Sequence, residues 1–124
     1  MTRTVLVVDD SATVRTQAGQ ALAEAGYVVL EAVDGIDAFE KLEAHQDIVL
    51  VICDVNMPRM NGVELVEALA KRAATMPPVI MLTTEGHPQL IKRAKASGAK
   101  GWMIKPFKAE LLVAAAKKVI AAAA

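Results

Sequence analysis

The chain has 124 residues, 54% of them hydrophobic. This suits one domain over residues 1–124 that can bury a core without disulfides or a structural metal, and it excludes a disordered chain. Fourteen basic and fourteen acidic side chains cancel, leaving no electrostatic footprint for nucleic acid or anionic lipid. The one cysteine, Cys53, has no internal partner and is compatible with a reducing compartment. The first apolar run, Val5–Val8, is too short for a signal-peptide core or a membrane span. The expectation is a cytoplasmic protein with no nucleic-acid or membrane partner. Aromatic residues make up only 3%, so the core must be aliphatic.

Four aliphatic runs stand out in chain order: Val5–Val8, Val28–Leu30, Ile48–Cys53 and Val79–Leu82. Gly101–Ile104 is a weaker fifth. They are rich in β-branched residues and alternate little, the pattern of strands buried on both faces. Helical segments lie between them. Ser11 caps the first, with Val14, Ala18, Leu22 and Ala25 on one face and Gly26 at its end. Asp34-Gly35 turns into a second helix with Ala38, Phe39 and Leu42 inward. Asn61-Gly62 leads into a third, with Leu65, Val66 and Leu69 inward. His87-Pro88 opens a fourth, which Ser97-Gly98 ends. Lys105-Pro106 precedes a fifth with Leu111, Leu112, Ala115 and Val119 inward, and the alanines up to 124 continue it. Five strand–helix units in strict alternation predict an α/β fold, (βα)5, with a parallel sheet and helices on both faces.

In such a sheet, ligands bind beyond the carboxyl ends of the strands. Asp9 and Asp10 follow the first run, Asp54 the third, Thr83 and Thr84 the fourth, and Lys105 the fifth. The second run ends in Glu31-Ala32-Val33 and looks outside the site. With strand order 2-1-3-4-5 the three aspartates would converge. Clustered carboxylates repel, and a hard divalent cation relieves them. Asp10 and Asp54 are the candidate direct ligands of Mg²⁺, with the backbone carbonyl of Asn56 a third and Asp9 acting through water. A carboxylate can attack phosphorus, and Asp54 suits the nucleophile because it stands alone on the central strand. Lys105 and the Thr83 hydroxyl would steady the transferring oxygens.

Val-Val-Asp9-Asp10-Ser11, Asp54-Val-Asn-Met-Pro58-x-Met-Asn-Gly62, Thr83-Thr-Glu85 and Gly101-Trp-Met-Ile-Lys105-Pro106-Phe107 together resemble response-regulator receiver domains, in order and over essentially the whole chain. The resemblance implies a doubly wound, flavodoxin-like five-stranded sheet of order 2-1-3-4-5. It implies a histidine kinase or phosphotransfer protein as donor to Asp54, and a cis Lys105–Pro106 bond. It also implies a switch in which Thr83 moves and the aromatic position, here Trp102, turns inward. The fourth helix, fifth strand and fifth helix would then bind a downstream output protein. Asn56 and Glu85 stand where hydrolysis is tuned. Trp102 departs from the usual Tyr or Phe, and Thr84 is bulkier than the usual small residue. The nearest kind is the stand-alone receiver of chemotaxis or surface motility, a phosphoacceptor rather than an enzyme.

Taken singly, each residue has a plainer reading. Asp9 or Asp10 caps a helix, Asp54 is a loop carboxylate, Lys105 a solvated surface lysine, Thr83 a strand end and Trp102 a half-exposed packing residue. Their joint placement carries the functional reading. Cys53 reads as core on the face opposite Asp54. Lys92, Arg93 and Lys95 read as a solvated face, and the lack of an apolar surface stripe reads as a monomer. A receiver-fold interaction module working without phosphorylation, or a phosphate sink or relay, is the alternative. A haloacid-dehalogenase-type hydrolase is disfavoured, since it wants Asp-x-Asp after the first strand.

Overall fold

The computed structural model describes residues 3–55, 60–72, 76–84 and 88–123. Ten elements alternate: β1 (Thr4–Val8), α1 (Ala12–Glu24), β2 (Val28–Ala32), α2 (Gly35–Ala44), β3 (Ile48–Asp54), α3 (Gly62–Arg72), β4 (Val79–Thr83), α4 (Pro88–Ala96), β5 (Gly101–Ile104) and α5 (Ala109–Ala123). All pairings are parallel, in the order β2-β1-β3-β4-β5. The fold is the expected doubly wound, flavodoxin-like one.

Strand alternation divides the core into two layers. Leu6, Val8, Val51, Cys53, Val79 and Met81 point to one face and pack against Ala38, Leu42, Val66 and Leu69 of α2 and α3. Val5, Val7, Leu50, Ile52, Ile80 and Leu82 point to the other and meet Ala18 and Leu22 of α1 with Leu112, Ala116 and Ile120 of α5. Every residue of β1 and β4 is buried, because helices cover both faces of the central strands. The two edges differ. On β2, Val28 and Glu31 are exposed. On β5 the exposure alternates, with Trp102 and Ile104 outward.

Local chemistry sets the helix ends. The Ser11 hydroxyl accepts from the Val14 amide at 3.3 Å, and the Asp34 carboxylate from the Asp37 amide at 2.8 Å. Asn61 and Glu64 cap reciprocally: each side chain accepts from the other's amide, at 2.8 and 3.0 Å. Gly26 and Gly98 follow α1 and α4 with φ of +100° and +115°, the left-handed exit that glycine takes at little cost.

One inward assignment on α5 is overturned. Leu111 is 58% exposed. Leu111 and Leu112 are adjacent and lie about 100° apart around the helix, so both cannot face the sheet. The buried stripe is Leu112, Ala116 and Ile120, flanked by Ala115 and Val119. Trp102 and Ile104 stand exposed on one face of β5.

Candidate functional site: a carboxylate crevice

Register alone assembles the site. Val8 pairs with Cys53, so Asp9 lies beside Asp54 where β1 and β3 end. Asp54 pairs with Leu82 and Thr83 with Ile104, which brings Thr83 and Lys105 alongside. The Lys105 amide donates to the Thr83 carbonyl at 2.8 Å. Asp9 and Asp54 continue the alternation of Val7 and Ile52, so both lie on the α1/α5 side of the sheet. The chain returns close behind Asp54: a Cβ on Gly62 would sit 2.2 Å from the Asp54 carbonyl oxygen. Only a residue without a side chain fits there.

Carboxylate oxygens of Asp9, Asp10 and Asp54 lie within 4.8 Å of one another. Asp9 is fully buried, Asp54 is 6% exposed, and Asp10 faces solvent. The Lys105 ammonium reaches in at 2.7 Å from Asp9 Oδ2 and 3.2 Å from Asp54 Oδ1. Burial by itself would lower the Lys105 pKa. The hydrogen bond to Asp9 and the charges of Asp54 and Asp9 outweigh it and raise the pKa above its ordinary value. Lys105 is therefore a fixed cation at neutral pH. One ammonium does not balance three carboxylates, and the surplus negative charge, with oxygen-only donors, fits a hard cation such as Mg²⁺. The buried, paired Asp9 is the poorest placed of the three for direct ligation.

Asp9 is held on all sides. Its Oδ1 accepts from the Ser11 amide at 2.9 Å, its amide donates to the Ala32 carbonyl at 3.1 Å, and its own carbonyl accepts from Arg15 Nη1 at 2.7 Å. Arg15 was not singled out from the sequence. An arginine in the first turns of an amphipathic helix reads as a surface charge, and its position six residues after Asp9 was the only clue.

The remaining candidates divide. Thr83 is buried, and its hydroxyl donates to the Thr84 carbonyl at 2.7 Å, so it must turn to meet any ligand in the crevice. Trp102 pairs in register with Met81, which places it on the same face of the sheet as Thr83. It is 39% exposed, with the Lys95 ammonium 4.0 Å from its ring centroid. Lys95 therefore belongs to an aromatic contact, and Arg93 pairs with Glu67 at 2.9 Å. The Lys105–Pro106 bond is cis. Cys53 is buried on the α2/α3 side, and burial, then the charges of Asp54 and Asp9, push its thiol far up. Asn56 and Glu85 lie outside the described residues.

Comparison with known proteins points the same way. Residues 5–117 match the response regulator receiver domain family. The chemotaxis protein CheY1 of Helicobacter pylori is 42% identical over 110 residues, covering 87% of this chain and 89% of that one. The chemotaxis protein CheY homologue of Campylobacter jejuni is 39% identical over 110 residues, covering 87% and 85%. Among solved structures, the Vibrio cholerae chemotaxis protein CheY4 superimposes with a TM-score of 0.88 at 39% identity, covering 96% of this chain and 99% of that one.

Proposed function

The chain belongs to the response regulator receiver family, the signalling domains of two-component systems, and from that premise we propose that it is a binding switch driven by phosphorylation of Asp54. Proteins of this family are signalling proteins rather than metabolic enzymes, and they bind Mg²⁺ at an acidic pocket. The observation that carries the reading is the convergence of Asp9, Asp10, Asp54 and Lys105 at neighbouring strand ends, with carboxylate oxygens within 4.8 Å and the ammonium at 2.7 and 3.2 Å.

In this reading a carboxylate oxygen of Asp54 forms a new bond to phosphorus while the donor's N–P bond breaks, leaving an acyl phosphate on Asp54 and a free imidazole on a histidine kinase or phosphotransfer protein. Asp10 and Asp54, with the Asn56 carbonyl, would hold Mg²⁺, and Asp9 would act through water. When bound, the ion neutralises charge on the phosphoryl oxygens. Lys105 exchanges part of its pairing with Asp9 and Asp54 for a phosphoryl oxygen. The Thr83 hydroxyl leaves the Thr84 carbonyl to donate to another. Trp102, on the same face of the sheet, responds to that move, and the face of α4, β5 and α5 changes its affinity for a downstream output protein. Asn56 and Glu85 set the rate at which water hydrolyses the acyl phosphate. The chemotaxis relatives favour a chemotaxis role; a surface-motility role, a monomeric state and a single domain over residues 1–124 complete the proposal from the sequence. Among the described residues no helix is long and apolar enough to cross a membrane; a cytoplasmic setting without lipid or nucleic-acid partners is part of the proposal.

The test is incubation with Mg²⁺ and acetyl phosphate, followed by intact mass, beside Asp54→Asn. One added phosphoryl group in the parent and none in the variant is the expected result. No addition to a folded parent would overturn the reading in favour of an interaction module that works without phosphorylation. The outward Trp102 under Lys95 is the feature that favours that second reading.

A further inference from the structure

We infer that Arg15 is a positioning residue for the metal-binding carboxylates, working as a two-pronged brace whose charge is neutralised by Glu31. The inference rests on the proposed phosphoacceptor site and adds a component to it. One prong is the Nη1 donation to the Asp9 carbonyl at 2.7 Å, and the other is the Nε donation to Glu31 Oε1 at 3.0 Å. The Arg15 side chain is partly buried, 16% exposed, while that of Glu31 is 51% exposed. Arginine's planar fork suits this double task, which the single ammonium of lysine cannot reproduce in the same geometry.

The Asp9 carbonyl matters because of what it is bonded to. The peptide unit is planar, so the Asp9 oxygen and the Asp10 nitrogen and Cα move as one rigid plate. Pinning that oxygen fixes the direction in which Asp10 leaves the plate. Asp10 needs such help. Its carboxylate is exposed, while the neighbouring Asp9 carboxylate is anchored by Lys105 and the Ser11 amide. The other anchors hold the Asp9 carboxylate and amide; among the described residues the brace is the hydrogen bond on the plate that carries Asp10 into the site. Partners one shell out from a metal ligand orient it in this way and commonly carry tenfold effects on affinity.

Glu31 solves the brace's own difficulty. An uncompensated guanidinium next to a cation site would repel the cation. Paired with Glu31, Arg15 holds the backbone while adding little net positive charge. This gives a role to the end of β2, which lies one strand away from the aspartates at the sheet's edge. The Lys41 ammonium donates to the Glu31 carbonyl, and the Asp37 carboxylate accepts from that ammonium at 3.3 Å, so Glu31 is tethered at its backbone as well.

Mg²⁺ titration calorimetry on the full chain, and amide hydrogen exchange at Asp10 and Ser11 without metal, test the inference on Arg15→Met, Arg15→Lys and Glu31→Gln. Arg15→Met should bind Mg²⁺ about tenfold more weakly and exchange the Asp10 amide faster. Arg15→Lys should recover only part of both. Glu31→Gln keeps the brace but unmasks its charge, so it should weaken Mg²⁺ by about two- to threefold with exchange unaltered. Unchanged or tighter Mg²⁺ binding in Arg15→Met overturns the inference, and so does unchanged exchange. If Arg15→Met does not fold, Arg15→Lys and Glu31→Gln decide, and parental behaviour in both overturns it. A parent that binds no Mg²⁺ would refute the phosphoacceptor reading. The exchange arm, run without metal, would then still judge the brace itself.

Discussion

At the crevice each polar group of Asp9 has a partner inside the fold: a lysine, two backbone groups and an arginine. At the β5 edge, Trp102 is 39% exposed and its ring meets one ammonium on a solvated helix. The two regions share a sheet, and Thr83 on β4 lies beside both. Positioned charge needs a seat that does not yield, since phosphoryl transfer is mostly positioning and neutralisation. A recognition surface needs the reverse, a group whose two placements differ by little free energy. The fold covers the central strands on two faces and leaves the edge strand half-covered, the contrast that the proposed switch would use.

That contrast predicts a graded set of effects. The largest should come from intruding on the crevice backbone. Gly62→Ala forces a methyl group against the Asp54 carbonyl, 2.2 Å away, and against the Met81 methyl at 2.8 Å. It should destabilise the chain by about 3 kcal/mol in urea unfolding. A loss below about 0.5 kcal/mol would mean that the seat yields after all.

A smaller effect, of opposite sign, should follow from Asp10→Asn. Removing one of three crowded carboxylates should stabilise the metal-free chain by about 1 kcal/mol, the Coulomb scale for this spacing in water. Mg²⁺ should raise the melting midpoint of the parent by mass action and leave that of the variant nearly flat. If both midpoints respond alike, Asp10 is not a ligand.

The smallest effect belongs to the edge. Lys95→Met keeps the aliphatic stem but removes the cation over Trp102, a contact worth about 0.5–1 kcal/mol where exposed. Trp102 fluorescence should become more accessible to acrylamide, while phosphorylation of Asp54 by acetyl phosphate keeps its parental rate. A changed rate with unchanged fluorescence would dissolve the distinction between a rigid crevice and a loose edge.

How much of this was legible in the sequence depended on how local the signal was. The strand runs, the cap at Ser11, the helix starts after Asp34-Gly35 and Asn61-Gly62 and the terminal glycines announce themselves within a few residues, and the structure keeps them. That Asp34 and Asn61 are themselves caps is visible only in the structure. The aspartates, Thr83 and Lys105 were legible because strand ends in a parallel sheet must collect at one rim. Leu111 was misplaced because two adjacent leucines satisfy an apolar pattern equally until the angle between them is counted. Lys95 reads from the sequence as part of a solvated face, and Arg15 does not stand out at all. Their partners, the Asp9 carbonyl with Glu31 and the Trp102 ring, come from other elements, and nothing in a helix's own periodicity reveals such a meeting. Asn56 and Glu85 fall outside the described residues, so their positions stay sequence-level expectations.

The pleat of β3 has a chemical consequence of its own. An acyl phosphate is a mixed anhydride, and a thiolate beside one would take the acyl group and release phosphate, converting a reversible mark into a thioester. Cys53 is the very next residue to Asp54. Strand alternation turns its sulfur to the opposite face, buried in the α2/α3 layer, and desolvation with the nearby negative charges keeps it a thiol. The Cys53 sulfur spends its proton on the Asp54 main-chain carbonyl at 3.4 Å. In the proposed phosphorylated state, one peptide bond would thus separate a mixed anhydride from a nucleophile that geometry and protonation both disarm, which would leave water to quench the signal.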